Sequence, residues 1–467
     1  MSVEVTLIFD IGKTNKKLYV LDDQLKELHK EYVRFDEIVD DDGFPCDDLE
    51  AIAQWVLASA KAILSNDQYE VKSINFSTYG ASMVHLDQSG KVIAPFYNYL
   101  KPYPEDLKQQ FFSAYHGEAN FSLITASPSM GFLNSGMQLY YLKYCKPHLF
   151  DKLSVSLHFP QYLSYLLTGR LTSDYTSVGC HTGLWDFRNH DYAQWINEES
   201  LEQYLPKPEP TLKLVPIQHE DQVVHVGIGI HDSSAALVPY LRSAPKPFVL
   251  ISTGTWSICM NPFNEHQLTK DELANDCLTF MSTTGSSVKA SRLFLGQELR
   301  EQAMRLGEYF EMPYHRYKEV SYDKDFEPLG SGSDRLIFSY THLDVARFGK
   351  ANADTEDFSI FRDFDHAYHQ LMHEMTNLQI NSLSLAIGES SINDIFIDGG
   401  FADNEIFVQM LADKLPQYRM QSVEFALGSS LGAALVVNST EQSYDGLSDS
   451  YKPRVHLPVK KSSSHEY

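Results

Sequence analysis

The sequence predicts an α/β protein made of two related halves, with mixed sheets flanked by helices. Three observations carry that expectation. Apolar runs of strand length, closed by Gly, Asp and Asn, alternate with longer segments of helical periodicity. The order strand, glycine turn, strand opens at residues 5–21 and returns at 248–260. Between them Pro245 and Pro247 around Lys246 punctuate the chain near its midpoint. These features divide the chain into domains at 1–242 and 243–440 and a polar, Ser-rich tail at 441–467, expected to be extended or partly disordered.

The elements follow in order. Residues 5–9 and 18–21 are apolar runs, and a weaker alternation covers 31–35, so three strands joined by tight turns open the chain. Leu49, Ile52, Ala53, Val56, Leu57, Ala60 and Leu64 fall at helical spacing, and 71–76 returns to strand before Tyr79 and Gly80. Residues 134–167 read as mostly helical, 223–230 as a strong strand, and 232–241 as a helix capped by Asp232 and Ser233. In the second half, strands at 248–252, 256–260 and 394–397 accompany helices at 361–387, 404–415 and 426–437.

Composition narrows the function classes. The 467 residues hold 38 Lys+Arg against 62 Asp+Glu, a net charge of −24, so no overall field draws in nucleic acid or an anionic membrane. Any polyanionic ligand must be met by local positive groups. Five cysteines without a Cys-x-x-Cys pair fit a reducing compartment. Glu4 and Asp10 interrupt the opening apolar run where a signal peptide would be uncharged, so a cytoplasmic location is expected.

Four segments carry chemistry. In the segment Asp10 to Lys17, Gly12 would take a positive φ and let turn amides point at phosphate oxygens. Thr14, Lys13 and Lys17 would add hydrogen bonds and charge there, and Asp10 could hold a hydrated Mg²⁺. His231-Asp232 stands where a strand ends and a helix begins, a place for a carboxylate to take a proton from a hydroxyl attacking phosphorus. Gly254 and Thr255 form a second phosphate turn, and Gly399-Gly400 would admit a flat adenine or ribose. Each segment also reads, by itself, as an ordinary turn or helix cap.

Other motifs fall away. Gly12-Lys13-Thr14 mimics the end of a phosphate-binding P-loop, but Leu7 replaces its first glycine and a strand follows instead of a helix. Gly428 to Gly432 satisfies GxSxG, yet only tail residues could complete a triad. His366, His369 and His373 share a helix face without a diagnostic partner, so a solvated face is expected instead of a metal site.

Taken in this order, the four segments resemble the FGGY family of carbohydrate kinases, of the actin-like ATPase superfamily, from Val3 to about Val437. The resemblance implies two actin-like (ribonuclease H-like) domains with the active site in the cleft between them. It implies ATP and Mg²⁺ as cofactors, Asp232 as general base, and Asp10 with Asp232 at the metal. Gly12, Lys13, Thr14, Asn15 and Lys17 would meet the nucleotide with Gly254, Thr255, Gly399, Gly400, Phe401 and Asn404. The turn Thr78, Tyr79, Gly80 and Ala81 resembles the family's sugar-contacting turn, and His231 would join it. Residues 166–177 and 426–434 resemble two further family segments.

His231-Asp232, with Tyr79-Gly80 and Gly254 to Trp256, is most similar to the rhamnulose and fuculose kinase branch. A ketose substrate is therefore expected, with a xylulose or ribulose kinase, or a catalytically weak nucleotide-binding scaffold, as alternatives. Related kinases are often homodimers, which sets the expectation for assembly; no nucleic-acid or membrane partner is expected. Two departures stand out. Lys13 occupies a position where the family usually has a small hydroxyl residue, which implies an ionic phosphate contact, and Gln161 replaces a common acidic residue.

Overall fold

The computed structural model describes residues 2–330, 333–423, 427–438 and 453–459. Its first sheet contains β1 (Val3–Ile11), β2 (Lys16–Leu21), β3 (Glu27–Val33), β4 (Tyr69–Thr78), β5 (Leu214–His219), β6 (Gln222–Gly227) and β7 (Ile230–His231). The order is β5-β6-β4-β1-β2-β3, with β7 also paired to β4. The second sheet contains β8 (Phe248–Thr253), β9 (Ser257–Asn261), β10 (Cys277–Met281), β11 (Ser287–Leu293), β12 (Asp394–Gly399), β13 (Arg419–Val423) and β14 (Arg454–His456). Its order is β10-β11-β9-β8-β12-β13-β14.

Both sheets obey one plan. An antiparallel hairpin, β1-β2 or β8-β9, gains parallel neighbours through β4 and β6, or β12 and β13. The duplicated opening in the sequence is thus a duplicated topology. Parallel strands need crossovers, and α1 (Leu49–Leu64), α2 (Phe159–Thr168), α4 (Phe364–Ile387) and α5 (Glu405–Lys414) lie in them, while α3 (Asp232–Ser243) links the two sheets and α6 (Ser429–Val437) follows β13.

Alternation along β1 sends Leu7, Phe9 and Ile11 to a core shared with α1, while Ile8 faces the opposite side. There α3 and α6 pack, with Ala235, Val238 and residues 431–437. The other face of α3, through Leu237 and Tyr240, joins Phe248, Leu250 and Phe396 of the second sheet. One helix therefore belongs to two cores. A Cβ on Gly432 of α6 would lie 1.8 Å from the Ala235 carbonyl oxygen of α3, so the two helices touch at a point where only glycine fits.

Several expectations change. A strand at Val155–His158 interrupts the helical stretch 134–167, because its buried side chains pair with Met83–Leu86. The strand expected at 223–230 breaks at Gly229, whose φ is +86° and whose missing Cβ makes room for Pro160. In the tail, Arg454–His456 adds an edge strand to β13, while most of 441–467 lies outside the described residues, as does Ala426. No helix among the described residues is long and apolar enough to cross a membrane.

Replacing Gly432 by Ala should force α3 and α6 apart and lower the unfolding free energy by about 2 kcal/mol, the scale of overpacking a close contact. Urea denaturation of the two proteins side by side measures it.

Candidate active site

The C-terminal ends of β1, β4 and β7 lie side by side. Asp10, Ser77 and Ile230 form one row of the sheet, and Ile11, Thr78 and His231 the next. Neighbouring strands are only about 4.8 Å apart, so the register brings the first loop, the 78–81 turn and His231-Asp232 to one edge. Gly80 is required there: a Cβ would fall 2.9 Å from the His231 ring. Ala81 accepts a positive φ of 62° and is held by Gln138 Nε2, which donates to its carbonyl at 2.8 Å. Thr78 is buried, with its hydroxyl on the Tyr79 carbonyl.

Asp232 is the first residue of α3, not its cap; His231 holds the cap position. The carboxylate is consequently free of the usual capping bond. Ser233 N donates to Oδ1 at 2.6 Å and His231 Nε2 lies 3.2 Å from the same oxygen. Among the described residues nothing donates to Oδ2, and the side chain is 36% exposed. The start of a helix also favours negative charge. His231 itself is buried, its amide donating to Thr176 Oγ1 at 3.1 Å, and Cys180 Sγ sits 3.5 Å from Nε2.

Thr176 is positioned by Asp174, which lies in the same stretch, 166–177. Asp174 is fully buried and accepts from Thr176 N, Thr176 Oγ1, Ser177 N, Thr211 Oγ1 and Gln161 Nε2. Gln161 is buried too, and its amide also donates to the Ile228 carbonyl at 2.9 Å. Here an amide does what a carboxylate could not, since only a donor can bridge Asp174 to that carbonyl.

Asp10 is nearly buried. Ser429 Oγ, at the start of α6, donates to Oδ1 at 2.9 Å, and Lys17 Nζ lies 3.4 Å from Oδ2. Burial pushes its pKa up; Lys17 and Ser429 pull it down, and the charge of Asp232 raises it again. The two carboxylates therefore feel one another. The same Asp232 charge, after burial, raises Tyr99, a neighbour not anticipated from sequence.

The loop between β1 and β2 corrects two expectations. Gly12 does not take a positive φ; its amide donates to Asn15 O at 3.0 Å, and a Cβ would meet that oxygen at 3.2 Å. Lys13 directs its ammonium to Asp47 Oδ2 at 2.6 Å and Glu37 at 3.4 Å, not to an open phosphate position. Thr14 is exposed, and Asn15 Oδ1 accepts from Arg34. Tyr79 likewise turns inward, its hydroxyl on Asp47 Oδ2 at 2.7 Å.

The second sheet repeats the geometry. Thr253 pairs with Gly399, whose φ of +84° and missing Cβ bring it against the Thr253 carbonyl. Thr253 Oγ1 donates to Asp398 O at 2.5 Å and accepts from Phe401 N at 3.0 Å, so one hydroxyl joins both glycine turns. Gly254, Thr255 and Gly400 are exposed, and a Cβ on Gly254 or Gly400 would meet nothing within 4 Å. Gly296 presses on the Gly254 carbonyl from behind. Phe401 and Asn404 are different: the Phe401 ring is buried against Phe407, and Asn404 caps α5 through Phe407 N while donating to the Tyr368 hydroxyl. Their side chains serve the core and the helix end.

Residues 5–204 match the N-terminal domain of the FGGY family of carbohydrate kinases. Over those residues the chain resembles that family. It is similar to a rhamnulokinase of Oceanobacillus iheyensis, 25% identical over 421 residues that cover 84% of this chain and 83% of that protein. A carbohydrate kinase from Novosphingobium aromaticivorans superposes with a TM-score of 0.77 at 21% identity, covering 98% of this chain and 95% of its own. A xylulose kinase from Lactobacillus acidophilus gives 0.76 at 14%, covering 98% and 94%. The chain therefore shares the fold of these kinases over almost its whole length.

The expected decoys stay structural. His369 accepts from Asp323 N and meets the Asp365 carbonyl, His366 accepts from Arg362 N, and His373 lies beside Lys414. Ser430 is buried within α6.

Three histidines behind the site, His85, His158 and His181, are pushed down by burial to about 4, 3 and 3. They stay neutral in the folded protein, whereas the unfolded chain protonates them near 6.5. Above pH 6.5 both states hold them neutral and they carry no penalty; as the pH falls toward 4 the unfolded chain binds protons that the folded one does not, so stability declines by on the order of 1 kcal/mol per histidine per pH unit. Urea midpoints measured from pH 7.5 down to 5 should fall accordingly.

Proposed function

We propose that this protein transfers the γ-phosphoryl group of ATP to a hydroxyl of a ketose, L-rhamnulose or L-fuculose in type, with Asp232 as general base. The carrying observation is the half-open Asp232 carboxylate, oriented through one oxygen by Ser233 N and His231, with the other oxygen unengaged among the described residues. The similarity to a rhamnulokinase over most of the chain supports the ketose class. On this reading residues 1–242 form the sugar-binding domain and residues 243–440 the nucleotide-binding domain.

Oδ2 of Asp232 would accept the hydroxyl proton as the sugar oxygen attacks the γ-phosphorus and ADP departs. Lys17, Thr14 and the amides near Gly12, Gly254 and Thr255 would position the phosphates, while Gly399 and Gly400 leave the backbone open to adenosine. The turn 78–81 and His231 would hold sugar hydroxyls. Asp10 and Asp232, two carboxylates close enough to raise the pKa of Asp10, form a hard-oxygen donor set that fits Mg²⁺ and would hold it. Bound there, the ion would offset charge on the phosphate oxygens. Excluding water from this edge protects the phosphoryl group from hydrolysis.

A coupled ADP-release assay over L-rhamnulose, L-fuculose, D- and L-xylulose, D- and L-ribulose and glycerol tests the substrate class. A 6-deoxyketose should stimulate ATP turnover most; a flat response across the panel would favour a nucleotide-binding scaffold. Asp232→Asn should bind ADP normally yet lose about 10²-fold or more in kcat, the scale of a missing general base. Near-normal turnover in that variant removes Asp232 from the role.

A further inference from the structure

Lys13 belongs to the first phosphate loop and Tyr79 to the sugar-side turn, yet both place their polar ends on one carboxylate. Asp47 Oδ2 accepts from Lys13 Nζ at 2.6 Å and from the Tyr79 hydroxyl at 2.7 Å, and Oδ1 accepts from Lys16 Nζ at 3.0 Å. Lys16 is almost wholly enclosed, with a side chain 2% exposed, and it also donates to the Lys13 carbonyl at 2.9 Å. The loop is thus held by a side chain and by its own backbone.

We propose that Asp47 is a positioning residue that couples the phosphate loop to the sugar-side turn, so that ordering one orders the other. The proposal rests on the assignment of residues 12–17 to phosphate and 78–81 to sugar made above.

Three features support the coupling. Asp47 is anchored, because the next residue, Asp48, caps the 16-residue α1 by accepting from Ala51 N. Its contacts run without a break to the reacting group. Tyr79 N donates to Ile11 O at 3.2 Å, Gly80 lies against the His231 ring, and His231 reaches Asp232. Its environment is also unforgiving: Lys13, Lys16 and Tyr79 together outweigh burial and hold the Asp47 pKa below its ordinary value. A carboxylate shared by three donors in a low-dielectric pocket cannot follow one without loosening the others.

Charge points the same way. Two ammonium groups meet one buried carboxylate, and the balancing Glu37 is half exposed at 3.4 Å from Lys13. The more exposed of the two counter-charges, Glu37, is the one whose hold on Lys13 is longer, and this cluster lies beside a loop whose ligand would be anionic. Lys13 acts on that ligand through the loop's shape and field, where a small hydroxyl would have touched it. An acidic chain that must meet a triphosphate locally gains from such a cluster.

The test uses Lys13→Met, Tyr79→Phe and the double variant, each retaining most of the side-chain volume, with ATP–Mg²⁺ and the preferred ketose of the panel above. Coupling predicts that each single change raises KM for both substrates about three- to tenfold, since a broken contact at a shared carboxylate is felt on both sides. The double variant should then be no more than about twofold worse than the poorer single variant. A sugar-independent arm measures ADP affinity by calorimetry, where Tyr79→Phe should weaken binding although Tyr79 is on the sugar side. Effects confined to the adjacent substrate and multiplying in the double variant, or no change in any KM, would overturn the coupling. Thr14→Ala and Gly80→Ala separate the two levels of failure: if neither disturbs binding of ATP or sugar, it is the subsite assignment that falls, not the role of Asp47 alone.

Discussion

Helices α3 and α6 meet where Gly432 leaves no room for a side chain against the Ala235 carbonyl, and the site depends on that contact. It holds α3 on the first sheet while the other face of α3 completes the core of the second. Asp232 is the first residue of α3, and Ser429, which bonds Asp10, is the first residue of α6. Two clamped helices therefore aim their starts at the same edge of β1, β4 and β7. Interiors packed to crystal density transmit displacement instead of absorbing it, so the separation of the two carboxylates follows the separation of the helices.

Much of this was legible in sequence. Continuous apolar runs identified β1, β2, β8 and β12 because burial on both faces of a mixed sheet leaves little other choice of residues. The positions of Asp10 and Asp232 at a sheet edge were legible because each follows or closes such a run. What escaped notice was mostly the partner of each residue. Lys13 looked like a phosphate ligand because nothing local shows that Asp47, 34 positions away, will neutralise it. Thr253 precedes the second phosphate turn, and nothing local shows that its hydroxyl will join two turns 148 positions apart. The glycines at 80 and 296 are demanded by neighbours brought close only by folding.

The corrected residues share a physical pattern. Tyr79, Phe401 and Asn404 lie inside motifs yet face the core or a helix end. A loop that presents bare backbone to a ligand must be fixed from behind, and those are the side chains that fix it. Gly254 and Gly400 are open on the outer surface, while Gly296 and the Thr253 hydroxyl grip the same turns from within. Motif membership alone cannot separate these two duties, because residues of both kinds stand within a few positions of one another in the chain.

Asp10 makes the complementary point. Its burial and the charge of Asp232 both disfavour ionisation, and Lys17 with Ser429 only partly offsets them. Folding gains little from holding one carboxylate within the field of another, so a sequence shaped by stability alone would place a neutral residue at one of the two positions. The first sheet already has ample cohesion in Leu7, Phe9, Ile74 and Phe76. An arrangement that is electrostatically unfavourable, set at the common edge of three parallel strands and locked by two helices, is intelligible as a site whose missing charge arrives with its ligands.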